Sequence, residues 1–231
     1  MYTICLVVVL CLDRLEAPAP AGGDGSGALE VARWRLLLTA GAFTVLQAPL
    51  TLAVQVLPLF VGTDLHGDVA DAGIILGLCA ALEIPLMLAL GAVTTRIPVR
   101  LVVLVGGACG VVYYALAMVA SAVWQLVVAQ LVDAVFIAAV AGLGISYMQD
   151  MLPRHPGRAT TLFTNALPIG AVLAGPLFGL AQQFGYRLAY ACCTALCAVG
   201  VLTLLAVKAE APAHLAVKTK PSLSTSSPER P

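Results

Sequence analysis

Apolar residues run in six long blocks, near Leu36 to Val61, Ala72 to Thr94, Leu101 to Val119, Trp124 to Met148, Ala159 to Gln183 and Leu188 to Val207. Each is bounded by charge, proline or glycine clusters. A helix rises ~1.5 Å per residue and ~20 mostly apolar residues cross the hydrocarbon of a bilayer. The blocks therefore predict an all-α integral membrane protein, a six-transmembrane-helix bundle over residues 36–207. A seventh apolar run, Tyr2 to Leu12, would reach about halfway across and reads as the remnant, residues 1–12, of a preceding transmembrane helix. Residues 13–35 carry Pro18, Pro20 and the Gly22 to Gly27 stretch and are expected to form a cytoplasmic linker. Residues 208–231 are rich in Pro, Ser, Thr and Lys, show no apolar periodicity and are expected to be a disordered cytoplasmic tail.

Composition narrows the class. Hydrophobic residues make up 61% of the chain and charged ones 10%, against about 25% charged in a soluble domain. A formal net charge of zero offers no basic face to nucleic acid. The seven cysteines lie in apolar stretches without a C-x-x-C pair, so neither a metal nor a redox role is expected. No nucleophile and base stand at a plausible spacing, and no Gly-rich phosphate loop follows a strand, so neither an enzyme nor a cofactor is expected. No basic residue precedes the apolar start and no A-x-A site closes it, which argues against a cleaved signal peptide.

Orientation follows from the basic residues. Arg14, Arg33 and Arg35 precede the first block, Arg96 and Arg100 lie between the second and third, and Arg154 and Arg158 between the fourth and fifth. Lys208, Lys218, Lys220 and Arg230 follow the sixth, leaving Arg187 alone on the other side, with Asp64, Asp68 and Asp71. Both termini are expected in the cytoplasm.

Ionisable groups inside hydrocarbon cost ~2.5–3.5 kcal/mol each on insertion scales, so each calls for a reason. Glu83 in the second block and Asp133 in the fourth both fall about 15 Å deep. Gln47 reaches a similar depth, Gln55 follows eight residues on, and Asn165 stands in the fifth block with Thr160, Thr161 and Thr164. The third and sixth blocks hold no carboxylate, amide or basic residue inside their apolar cores. The polarity thus assigns the first, second, fourth and fifth helices to a polar cavity and the other two to the lipid, and a midplane cavity is where secondary transporters place substrate. The bland alternative makes Glu83 and Asp133 satisfied packing groups, paired with Gln130 or a backbone carbonyl. For Gln47, Gln55 and Asn165 that alternative is the stronger, because amides commonly bond between helices. Pro85, Pro168 and Pro176 are expected to interrupt their helices. The spacings Gly73/Gly77, Gly106/Gly110 and Gly175/Gly179 are expected to bring helices close.

Gly91, Arg96 and Arg100 fit the spacing G-x-x-x-D-R-x-G-R-[KR] and so resemble the gating-loop motif of the major facilitator superfamily, although Thr95, Pro98 and Val99 depart from it. Gln149-Asp150, Pro153, Gly157, the block from Ala159 to Asn165, and Leu82-Glu83-Ile84-Pro85 are similar to the C-terminal half of the bacterial sugar efflux transporters. The resemblance implies the C-terminal six helices of a twelve-helix carrier in the bacterial cytoplasmic (inner) membrane, exporting sugars or sugar-like compounds against proton entry. By the resemblance Glu83 would contact substrate or carry a proton and Asn165 would hydrogen-bond sugar hydroxyls, while Asp133, Gln47 and Gln55 join them as candidate substrate or proton groups from polarity and depth alone. Asp150 either replaces the missing motif acid, by pairing with Arg96 or Arg154, or is an ordinary interfacial charge. The expected partners are the bilayer, a sugar-like molecule, protons, and either a missing N-terminal half or another copy of the chain. A drug or metabolite exporter and a truncated non-transporting fragment are the alternatives.

Overall fold

The computed structural model describes residues 26–153 and 155–207, with side chains from Trp34 onward. The expected remnant, the tail, and the basic side chains of Arg14, Arg33, Arg154, Lys208, Lys218, Lys220 and Arg230 lie outside that description. Six helices long and apolar enough to cross a bilayer follow one another, and the described part is all-α. They are α1 (Ser26–Thr63), α2 (Val69–Val93), α3 (Val99–Val119), α4 (Val123–Met151), α5 (Pro156–Phe184) and α6 (Tyr186–Ala206). Every expected span is present. The first begins earlier than its apolar block, since α1 reaches back to Ser26, into the stretch read as linker. Ala28-Leu29-Glu30 are strong helix formers and extend the helix beyond its apolar part.

Helix α1 packs chiefly against α5 and α6, α3 against α6 and α4, and α2 against α4. The centre is aromatic and fully buried, with Phe43, Phe60, Tyr113, Tyr114, Phe136 and Tyr190 among its largest side chains. Exposure is distributed unevenly. In the most apolar window of α2 only 11% of residues are buried, against 56% for α1 and α4, and α5 is the next most open. The third and sixth helices, read from polarity as lipid-facing on most sides, are instead more buried than α2 and α5. Polarity shows which helices carry hydrogen-bonding side chains. It does not say which is central within one six-helix unit.

The prolines do not break the helices. Pro85, Pro168 and Pro176 lie inside continuous α-helices, as do Pro49 and Pro58 in α1. The irregularity falls in α4, where Ala138–Gly142 forms a single π-helical turn with no proline in it. Its small residues let neighbours close in. A Cβ built on Gly106 of α3 would collide with Ala139, and one on Gly142 would lie 3.2 Å from the Met87 side chain. Of the three glycine spacings, Gly106/Gly110 is a packing device within the unit, Gly110 lying under the Phe136 ring. Gly73, Gly77, Gly175 and Gly179 have nothing within 4 Å and therefore join no helices here.

Acidic and basic loops stand at opposite ends of the bundle, which sets the topology test. Gly67 is closed to a tag, because a Cβ there would meet Val61 at 2.8 Å and Val123 at 2.9 Å. Val69 and His155 are exposed. Cysteines at Val69 and His155 should label from opposite faces of a sealed vesicle, and labelling from one face would remove the six-span arrangement. A second expectation concerns packing: Gly106→Leu should lower the detergent unfolding midpoint, as overpacking by ~1–3 kcal/mol does, whereas Gly73→Ala should leave it unchanged.

Candidate functional site

Asp133 projects from α4 into the interior and is buried. Its Oδ2 accepts a weak bond from the Cys79 thiol of α2 at 3.9 Å, and its Oδ1 has no partner among the described residues. Gln130, one turn away, does not pair with it: its Nε2 donates to the Tyr113 hydroxyl of α3 at 3.0 Å. Glu83, one turn beyond Cys79 on α2, is half-buried and within electrostatic range of both Cys79 and Asp133. The two carboxylates matched by depth in the sequence therefore share one neighbourhood. Neither meets a cation among the described residues.

The amides separate. Gln47 is buried where α1 crosses α5, and Gly170 lets the backbones approach so closely that a Cβ there would lie 2.9 Å from the Ala48 nitrogen. Its Oε1 has no partner among the described residues. Gln55 is exposed. Eight residues leave two side chains about 80° apart around a helix of 3.6 residues per turn, enough to move Gln55 out of Gln47's environment. Asn165 is half-buried and makes no hydrogen bond among the described residues. Near these amides an open cleft of about 410 Å³ is lined by Thr51, Leu167, Pro168, Ala171 and Val172. Thr51 is one turn from Gln47 and Pro168 one turn from Asn165, so both amides flank the cleft along their helices. Glu83 is not among its lining residues.

The motif loop is ordered by short hydroxyl contacts. Thr94 Oγ1 donates to the Gly91 carbonyl at 2.7 Å and Thr95 Oγ1 to that of Ala92 at 2.8 Å, closing the end of α2. Arg96 and Asp150 are both exposed and are not bonded to one another; a pairing with Arg154 lies outside the described residues. Arg100 does something the motif does not suggest. From the second position of α3 its Nη2 donates to the Leu204, Leu205 and Val207 carbonyls, at 3.0, 3.3 and 2.6 Å, capping the end of α6.

Arg187 mirrors it. From the second position of α6 it donates to the Met118 and Ala120 carbonyls at 2.9 and 3.0 Å, capping the end of α3. It also stands 3.8 Å from Asp64 and over the Phe60 ring at 5.7 Å. A cation is unfavourable at its own helix's N-terminus and favourable at another's C-terminus. That is why each arginine serves the antiparallel neighbour. Reasoning from residues alone missed Cys79, Tyr113, Tyr114, Tyr190 and this exchange of caps. The misplaced sign of Arg100 and Arg187 was the signal for the last.

A Major Facilitator Superfamily profile matches residues 39–229. The chain is 32% identical over 195 residues to sugar efflux transporter A of Escherichia coli (strain K12), covering 82% of this chain and 49% of that one. It is 33% identical over 186 residues to sugar efflux transporter B of Salmonella typhimurium, covering 79% and 47%. It is 36% identical over 127 residues to sugar efflux transporter A of Dickeya chrysanthemi, covering 55% and 32%. The chain spans about half the length, or less, of these curated relatives.

The capping geometry separates two roles for the motif arginines. Arg100→Gln should destabilise the purified chain by ~1.5–3 kcal/mol, the range for hydrogen bonds to a charged group, while Arg96→Gln should not shift its unfolding midpoint. Equal midpoints for the two variants would return Arg100 to the gating loop alone.

Proposed function

We propose, from the premise that the chain belongs to the major facilitator superfamily, that it supplies the C-terminal half of a secondary carrier exporting sugars or sugar-like compounds in exchange for protons. The observation that carries this reading is the openness of α2 and α5, the helices that bear Glu83 and Asn165. Ile84 and Leu88 on α2 are among the most exposed large apolar side chains, and Leu167, Val172 and Leu180 are exposed on α5. The small residues Gly73, Gly77 and Gly175 lie on exposed positions of the same two helices, as they would if a second bundle came close. The relatives' names as sugar efflux transporters suggest the substrate class, and their greater length leaves room for that bundle.

In this reading Glu83 and Asp133 carry the coupling proton. Gln47 and Asn165, flanking the cleft between α1 and α5, hydrogen-bond sugar hydroxyls, with Gln55 nearer the mouth. Gly91, Arg96, Arg100 and Asp150 belong to the cytoplasmic loops that open and close. The membrane is the bacterial inner membrane, with both termini in the cytoplasm, where the arginines of the 94–100 and 152–158 loops lie. Alternating access rocks two halves about a shared site, so an N-terminal half, or another copy of the chain, completes the carrier.

Expressed alone, the chain should give no sugar efflux from preloaded vesicles, and adding a matching N-terminal half should restore it. Robust efflux by the purified chain alone would replace the two-half reading with a homodimer. In the paired carrier, Glu83→Gln should abolish proton-driven export without loss of insertion. Unchanged export would leave Glu83 as a packing residue.

A further inference from the structure

Four buried polar atoms on α3, α4 and α6, with α3 packed against both of the others, have no hydrogen-bond partner among the described residues: Tyr114 OH, Gln130 Oε1, Asp133 Oδ1 and Tyr190 OH. Buried polar groups are rarely left unsatisfied, and a site that is polar on several sides is where ordered water is held. Tyr113 joins the group through its bond from Gln130, and its ring centroid lies 5.0 Å from that of Tyr114. The Tyr114 ring in turn meets that of Phe136, one turn from Asp133 on α4, with centroids 5.9 Å apart.

The group has a direction. Asp133 lies near the midplane, and Gln130 is one turn closer to the end of the bundle that carries Asp64. Tyr190 stands one turn into α6 from Arg187, its ring 5.0 Å from that of Phe60. Arg187 covers Phe60 and meets Asp64, whose side chain is 28% exposed. Polar groups therefore follow one another from a wetted ion pair at the surface to a carboxylate in the middle of the membrane. Cys79 of α2 bonds to Asp133, with Glu83 one turn beyond it, and the other titratable side chains buried on the neighbouring helices are Tyr113 and Tyr114 of α3 and Tyr190, Cys193 and Cys197 of α6. No described cation bonds to Asp133.

We propose that this interior is a water-bridged proton route from the Asp64–Arg187 surface to Asp133, contained within this chain and separate from the cleft between α1 and α5. It rests on the reading of the chain as a proton-coupled carrier and names the residues that bring the proton in. A proton arriving on water passes along hydroxyls that each accept at a lone pair and release their own hydrogen. Each hop forms one O–H bond and breaks another, so every hydroxyl and water is restored, the entering hydronium is left as water, and the last donor's O–H breaks as one forms at the Asp133 carboxylate Oδ1. Gln130 is the positioning residue: by donating to Tyr113 it leaves that hydroxyl's hydrogen to point onward. An export cycle driven by proton entry needs such access from the side opposite the arginine-rich loops, and the Asp64 end is that side.

The test is infrared spectroscopy of the full chain in bilayers at acid pH, where the Asp133 carboxyl carries its proton and its C=O band is identified by its loss in Asp133→Asn. Transfer to D2O shifts the band at the rate of proton exchange. Followed by rapid mixing that resolves the wild-type rate, exchange should be fast in the wild type and about tenfold slower in Gln130→Leu and in Tyr190→Phe, as loss of one relay contact of ~1.4 kcal/mol would give. Slow exchange in the wild type, or rates unchanged in both variants, overturns the route. Where Tyr190→Phe does not insert, Tyr113→Phe reads the same chain, with the same two outcomes. The measurement needs no transport: variant-sensitive exchange without sugar efflux by the paired carrier would sink the carrier reading alone, and efflux with variant-insensitive exchange would sink the route alone.

Discussion

Hydrocarbon offers no hydrogen bonds, so every polar group in this chain must be satisfied by protein, by internal water or by a site that a partner completes. The helix ends obey the first route. Arg100 and Arg187 each leave the start of one helix to cap the end of its antiparallel neighbour, tying α3 and α6 together at both faces of the membrane. The threonines show the same economy, donating within their own helices to carbonyls three or four residues back, as at Thr39, Thr63 and Thr203. Apart from the Nε of Arg100, the buried unsatisfied side-chain atoms among the described residues are then those of Gln47, Gln130, Asp133, Tyr114 and Tyr190. Function is sought there because nothing structural accounts for it.

The same constraint explains what could be read from the sequence. Spans are legible because length and apolarity are set by bilayer thickness, and all six were located to within a few residues, the helical extension at Ser26 apart. Depth was legible too: Glu83 and Asp133, matched by counting residues, do share a neighbourhood. Lateral packing was not. An apolar helix surface reads alike whether it meets lipid, a neighbour in the same unit or a second bundle, so α3 and α6 were placed outside although α2 and α5 are the more exposed. The π turn at Ala138–Gly142 was equally silent, since it arises from close packing with Gly106 and Met87 across the bundle and not from a proline. Tyrosines escaped notice because their hydroxyls sit on rings that count as apolar.

The two open helices and the glycines on their faces give the chain a shape that lipid does not fill well. Small residues favour a protein neighbour, because backbones approach closely only where side chains are absent. A second bundle over α2 and α5 would close the cleft beside Asn165 and shield Glu83. It would turn two half-buried groups into the lining of a cavity, which is the condition for rocking two halves about one site.

Whether those faces meet protein can be measured without any transport assay. In a chain whose Trp34 and Trp124 are replaced by phenylalanine, a single tryptophan at Leu167, beside the α1–α5 cleft, reports lipid contact through quenching by brominated acyl chains. The account predicts strong quenching when the chain is alone in bilayers and protection when a matching N-terminal half is reconstituted with it. Equal quenching in the two samples, in a complex shown to have formed, would contradict it.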